Sequence, residues 1–92
     1  MKLQYGRNMQ FTRLIKVNGL LKEFNFTKAN RDNTGSFSVD TIDDRGNRII
    51  FSMIKTEKGW ELEPESFLPG WISAIEPQLN KQIEDEFQQI AG

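Results

Sequence analysis

Residues 10–27 read QFTRLIKVNGLLKEFNFT, and this stretch decides the fold. Asn18-Gly19 is the dipeptide of a two-residue type I′ turn, in which both central residues need positive φ. On either side of it apolar and polar residues tend to alternate, as in a half-buried strand. A two-residue turn also sets register. Val17 then faces Leu20, Ile15 faces Lys22, Arg13 faces Phe24, and Phe11 faces Phe26. Strands are expected over Gln10–Val17 and Leu20–Thr27. One face carries Phe11, Arg13, Ile15, Val17, Leu20, Lys22, Phe24 and Phe26 and is the core face. The other carries Thr12, Leu14, Lys16, Leu21, Glu23 and Asn25.

The same logic extends downstream. With Gly46 as the left-handed residue of a three-residue bulged turn, Asp43 pairs with Asn47. Strands three and four then cover Phe37–Ile42 and Asn47–Lys55. Thr41 faces Ile49, Val39 faces Phe51, and Phe37 faces Met53. This register gathers Phe37, Val39, Ile49, Phe51 and Met53 on one face, so turn chemistry and pattern agree. Lys58-Gly59 marks a further turn before a strand at Trp60–Glu63. A loop of two or of four residues there places Trp60 and Leu62 with Met53. The connection Lys28–Ser36 is long for a hairpin loop. Either it wraps around an edge or strand three does not pair directly with strand two.

After the loop Pro64–Gly70 the period changes. Ile72, Ile75, Leu79, Ile83, Phe87 and Ile90 recur at spacings of three and four and fall within an arc of ~120°. A helix is expected to about Ala91. Pro77 lies outside the arc and either kinks this helix or starts its main part. The expected fold is α+β: an antiparallel meander of about five strands, packed on one face by a single C-terminal helix. Residues 1–8 are expected as a flexible arm before one domain of residues 9–92, with Met9 as a candidate start.

Ninety-two residues, 37% hydrophobic and 27% charged, fit one small soluble domain. The chain has no Cys, which removes disulfides, Cys-zinc sites and thiol chemistry. It has no His, the usual general base and the commonest metal ligand. It also lacks a paired-carboxylate motif, a nucleophile elbow and a Gly-rich phosphate loop. No catalytic, cofactor-binding or metal-binding residues are therefore assigned, and a non-enzymatic protein is expected. No window reaches the ~18 apolar residues of a membrane span. Residues 1–8 hold no secretory apolar stretch, so the cytoplasm is the expected compartment.

The formal net charge of −1 is unevenly spread. Residues 1–31 carry seven basic side chains and one acid, and residues 61–92 carry seven acids and one base. The preferred reading is that the acidic helix packs over the basic hairpin. Nucleic-acid binding through that hairpin is the weaker alternative, because Phe11, Phe24 and Phe26 lie on the face the helix covers.

Three groups of residues invite a functional reading. Leu14, Leu21, Ile42, Ile50 and Ile54 fall on the face away from the helix, where water would favour polar residues. They form a candidate surface for a protein partner or for a homodimer. Arg13 and Lys22 lie on the core face, and Glu76 and Glu86 lie in the helix's apolar arc, so ion pairs at the core rim are expected. Trp60, Phe67 and Trp71, with Arg13 and Lys22, form a candidate ligand site between sheet and helix. Asp40, Asp43, Asp44 and Asn47 cluster at a turn, but their spacing does not fit a calcium loop. The expected function is a small protein-interaction module acting through the open sheet face. A small-ligand-binding domain is the alternative.

Overall fold

A computed structural model describes residues 9–28, 36–64 and 67–91, with side chains as far as Gln88. The expected arm of residues 1–8, most of the connection after Lys28, and the Ile90 side chain lie outside these residues. The strands are β1 (Met9–Val17), β2 (Leu20–Lys28), β3 (Ser36–Ile42), β4 (Arg48–Thr56) and β5 (Gly59–Leu62). Two helices follow, α1 (Gly70–Ala74) and α2 (Glu76–Ala91). The strands form one antiparallel sheet in the order β1-β2-β3-β4-β5. The class is the expected α+β meander, with α2 packed against one face of a curled sheet.

Local turn chemistry places the hairpins. Asn18 and Gly19 have φ of 52° and 84°, which suits the I′ turn, and all the expected β1–β2 pairs form. At the second turn Gly46 has φ of 83° and donates to the Asp43 carbonyl at 3.0 Å, while Asp43 N–H meets the Asn47 carbonyl at 2.9 Å. Thr41, Val39 and Phe37 then oppose Ile49, Phe51 and Met53 as expected. Asn47 belongs to the turn, and β4 begins at Arg48. The β4–β5 loop is the two-residue alternative, with Thr56 opposite Gly59 and Met53 opposite Leu62. The pairing of β2 with β3 resolves the other open question. They are direct neighbours, but their ladder joins only Asn25–Thr27 to Ser38–Asp40.

Of the two expectations for Pro77 the structure shows the second: a short α1 precedes, and the main helix α2 starts at Glu76. Ile75 leaves the helical region at φ −103° and ψ 15°, and its N–H bonds three residues back to Ile72. Pro77 is the cause: it has no N–H for Ser73, and its ring crowds that carbonyl. Pro77 therefore sits in the first turn of α2, where a missing N–H costs nothing.

The core lies between the concave face and the helices. Phe24, Phe26, Phe37, Val39, Met53, Ile72, Leu79 and Ile83 are fully buried. Each such side chain contributes about 1.5–3 kcal/mol by leaving water. Phe37 is the hub, with edge contacts to Phe11, Trp60 and Phe87 at 5.8, 5.2 and 6.0 Å between ring centroids. These contacts span β1, β3, β5 and α2, which is how the sheet curls around its aromatic centre.

Candidate functional site

The convex face of the sheet is where the alternation leaves aliphatic residues without cover among the described residues. Leu14, Leu21, Ile42 and Ile50 are 57–63% exposed there. Ile54, expected with them, is half-buried near the β5 edge opposite Glu61 and Ser36, and it stands apart from the four. Register gives the four a regular setting. Leu14 pairs across the strands with Glu23, Leu21 with Lys16, Ile42 with Arg48, and Ile50 with Asp40. Each of these four thus stands beside one charge, two acids and two bases in all; Leu20, exposed at the turn end of the other face, pairs with Val17.

A split runs through this face. Above the short β2–β3 ladder the strands part, and side chains take over from main chain. The buried Thr41 hydroxyl donates to the Glu23 carbonyl at 2.8 Å. The Lys22 ammonium donates to the Ile42 carbonyl at 3.3 Å and to Asp44 at 3.2 Å. A groove of about 560 Å³ results, lined on its outer side by Leu21, Glu23, Asn25, Asp40, Ile42 and Arg48. Arg48 grips Asp40 through one carboxylate oxygen, Oδ2, with both Nε and Nη2. Among the described residues nothing donates to the buried Oδ1. Asn25 stands opposite Asp40 in the ladder.

The acidic turn is occupied by its own backbone. The Asp43 carboxylate accepts the N–H groups of Asn47 at 2.8 Å and Arg45 at 2.9 Å. The Asn47 bond above all holds the Asp43 carboxyl below its ordinary value, against a smaller opposing effect of burial. Asp44 pairs with Lys22 and Asp40 with Arg48. Among the described residues no group of three or more His, Cys, Asp or Glu side chains gathers to hold a metal.

The rim residues do not converge. Arg13 pairs with Glu86, as one expected combination had it, and lies 4.9 Å from the Phe11 ring centroid. Lys22 goes instead to Asp44, with its ammonium 5.3 Å from the Trp71 ring centroid. Glu76 pairs with neither base. Its Oε2 accepts the Leu62 N–H at 2.7 Å. The reason is position: Glu76 opens α2 beside β5, at the opposite sheet edge from β1. Trp60 is buried against Phe37 and stacks on Phe87, while Trp71 meets Phe24 edge-on at 6.4 Å. Phe67 is wholly exposed. Among the described residues no ring contact joins Trp60, Phe67 and Trp71. Phe11, Phe24 and Phe26 are buried in the core, with no face open to a base.

The part that sequence reasoning missed is the closure of β5. Asn80 Oδ1 accepts the Trp60 N–H at 2.7 Å, and Glu76, one helical turn earlier, does the same for Leu62. These are alternate, outward-pointing N–H groups of an edge strand. No periodicity signals a polar pair of this kind.

No family of known proteins, no curated protein and no solved structure matches this chain. No helix among the described residues is long and apolar enough to cross a membrane.

Proposed function

We propose that this chain is a non-enzymatic protein-interaction module whose convex sheet face packs on a second copy of itself. The observation that carries the reading is the pairing of each of the four exposed aliphatics of this face with one charge. Leu14, Leu21, Ile42 and Ile50 supply apolar area. Their neighbours Glu23, Lys16, Arg48 and Asp40 supply equal numbers of each sign. A twofold axis brings the same patch against itself, so a single-sign face would repel its copy. Asp40 and Arg48 pair within each copy, so the face as a whole is balanced, and Glu23 of one copy can meet Lys16 of the other while the aliphatics leave water. The fold supports the division of labour, since the aromatic core lies on the opposite face.

Light scattering behind size exclusion, over a concentration series, tests the reading. Association is expected by ~100 μM, well above the dissociation constant a functional homodimer needs. Ile50→Lys is expected to break this contact and leave the fold intact, because Ile50 is 59% exposed on the face opposite the core. A strictly monomeric wild-type protein at that concentration overturns the reading.

A further inference from the structure

The two edges of the sheet are treated differently. An edge strand presents unpaired N–H and C=O groups, and proteins that do not use such an edge blunt it with charges, bulges, prolines or a covering element. At β5 the cover is explicit: Asn80 and Glu76 each take one outward N–H at 2.7 Å. At β1 there is far less. The strand is nine residues long, its register with β2 runs unbroken from Met9 to Val17, and it contains no proline and no bulge; its two charges are Arg13, held by Glu86, and Lys16. Its closing pair at the I′ turn is Val17–Leu20, so the odd-numbered residues bond to β2 and Gln10, Thr12, Leu14 and Lys16 point their main chain outward. Among the described residues one bond reaches that edge, from the Arg13 guanidinium to the Thr12 carbonyl at 3.1 Å. A carbonyl has two lone pairs and still accepts a second donor.

We propose that β1 pairs antiparallel with β1 of a second copy, joining two sheets into one. The register follows from charge and exposure. A twofold centred on Arg13 would set two guanidinium groups against each other. Centred on Leu14, it sets Leu14 against the partner's Leu14, Lys16 against the partner's Thr12, and Ile15 against the partner's Arg13. No like charges then oppose, and the exposed Leu14 side chains meet. The choice of a second copy as partner rests on the self-association reading above; the two contacts share the Leu14 side chain and otherwise use different groups. The face contact uses side chains around Ile50, and the edge contact uses the main chain of Thr12, Leu14 and Lys16. With the two twofold axes crossing at right angles, the two contacts together close a tetramer, a common assembly.

The test is a set of masses and amide exchange rates on the full chain. Thr12→Pro removes an N–H that faces away from β2, so the β1–β2 ladder keeps its bonds, and it leaves the four aliphatics of the face in place. The wild type at ~100 μM, the concentration used above, is expected as a tetramer. Ile50→Lys and Thr12→Pro are each expected as dimers, and the double variant as a monomer. Wild-type amides of Thr12, Leu14 and Lys16 should exchange as slowly as those of Arg13 and Ile15, and this protection should fall on dilution. That measurement stands even where Thr12→Pro does not fold. A dimer broken by Ile50→Lys, with the Thr12 and Leu14 amides exchanging freely, overturns the edge pairing and keeps the face contact. A dimer broken by Thr12→Pro and indifferent to Ile50→Lys supports the edge and removes the face contact. A wild-type monomer removes both.

Discussion

Asn80 accepts the Trp60 N–H at 2.7 Å, and the same side-chain oxygen lies 2.7 Å from where a Cβ on Gly59 would stand. Gly59 also has φ of +123°. Two requirements therefore meet at one residue: a backbone region that L side chains avoid, and the close approach of a helix side chain. Gly59→Ala is expected to cost about 2–3 kcal/mol. Urea denaturation checks this. A change below ~0.5 kcal/mol, within the range of an ordinary surface substitution, would mean that Asn80 does not hold this position.

Glu76 gives a more selective variant. Its Oε2 is the acceptor for a half-buried N–H of Leu62. Glu76→Ala should cost about 1–2 kcal/mol, because the N–H loses its partner without gaining full access to water. Glu76→Gln keeps a carbonyl oxygen at the same reach and should recover most of that loss. Equal effects of the two changes would show that charge, and not acceptance of this bond, is what matters.

The Arg13–Glu86 pair has side chains only 24% and 21% exposed, and the guanidinium also packs over Phe11. A double-mutant cycle to alanine should give coupling of about 1 kcal/mol. The cycle between Lys22 and Glu86 should give none, since Lys22 bonds Asp44 and the Ile42 carbonyl instead. Coupling in the second cycle would place α2 differently across the sheet.

Phe37 joins three other rings and is 1% exposed. Phe37→Ala should cost about 3–5 kcal/mol, a large part of the stability of a domain this small. Thermal unfolding followed by tryptophan fluorescence reads this through Trp60, whose ring stacks on Phe87 and meets Phe37. A variant with an unchanged transition would contradict the aromatic hub.

Asp43 ties pH to one turn. Its carboxyl is held below the ordinary 3.8 by the N–H bonds of Asn47 and Arg45. A depressed folded-state pKa stabilises the turn above the unfolded value, and that contribution is lost as pH falls through the folded value. The Asp43 carboxyl should therefore titrate below 3.8 by carbon NMR, with Gly46 and Asn47 amide shifts moving in the same step. Titration at or above that value would show that the two N–H bonds do not persist in solution.

The sequence by itself determined the two long hairpins and their registers. Asn18-Gly19 and the Asp43–Asn47 turn act within a few residues, and a period-two pattern then assigns every strand residue to a face. For the same reason four of the five expected surface aliphatics, and the helix's buried stripe from Ile72 to Ile83, were legible. Tertiary structure alone decided the rest. The β2–β3 ladder stops at Asn25 because Thr41 and Lys22 take its next carbonyls, and these groups meet only once both hairpins are formed. Glu76 turned to Leu62 because α2 starts beside β5, while Glu86, near the other end of α2, meets Arg13 of β1 and Lys22 turns to Asp44. Ile54 is half-buried between Ser36 and Glu61 of its two neighbouring strands, a setting that only the assembled sheet provides. A turn is governed by local backbone sterics. A polar side chain takes whichever partner the packed elements bring within about 3 Å, and that distance is a property of the whole fold.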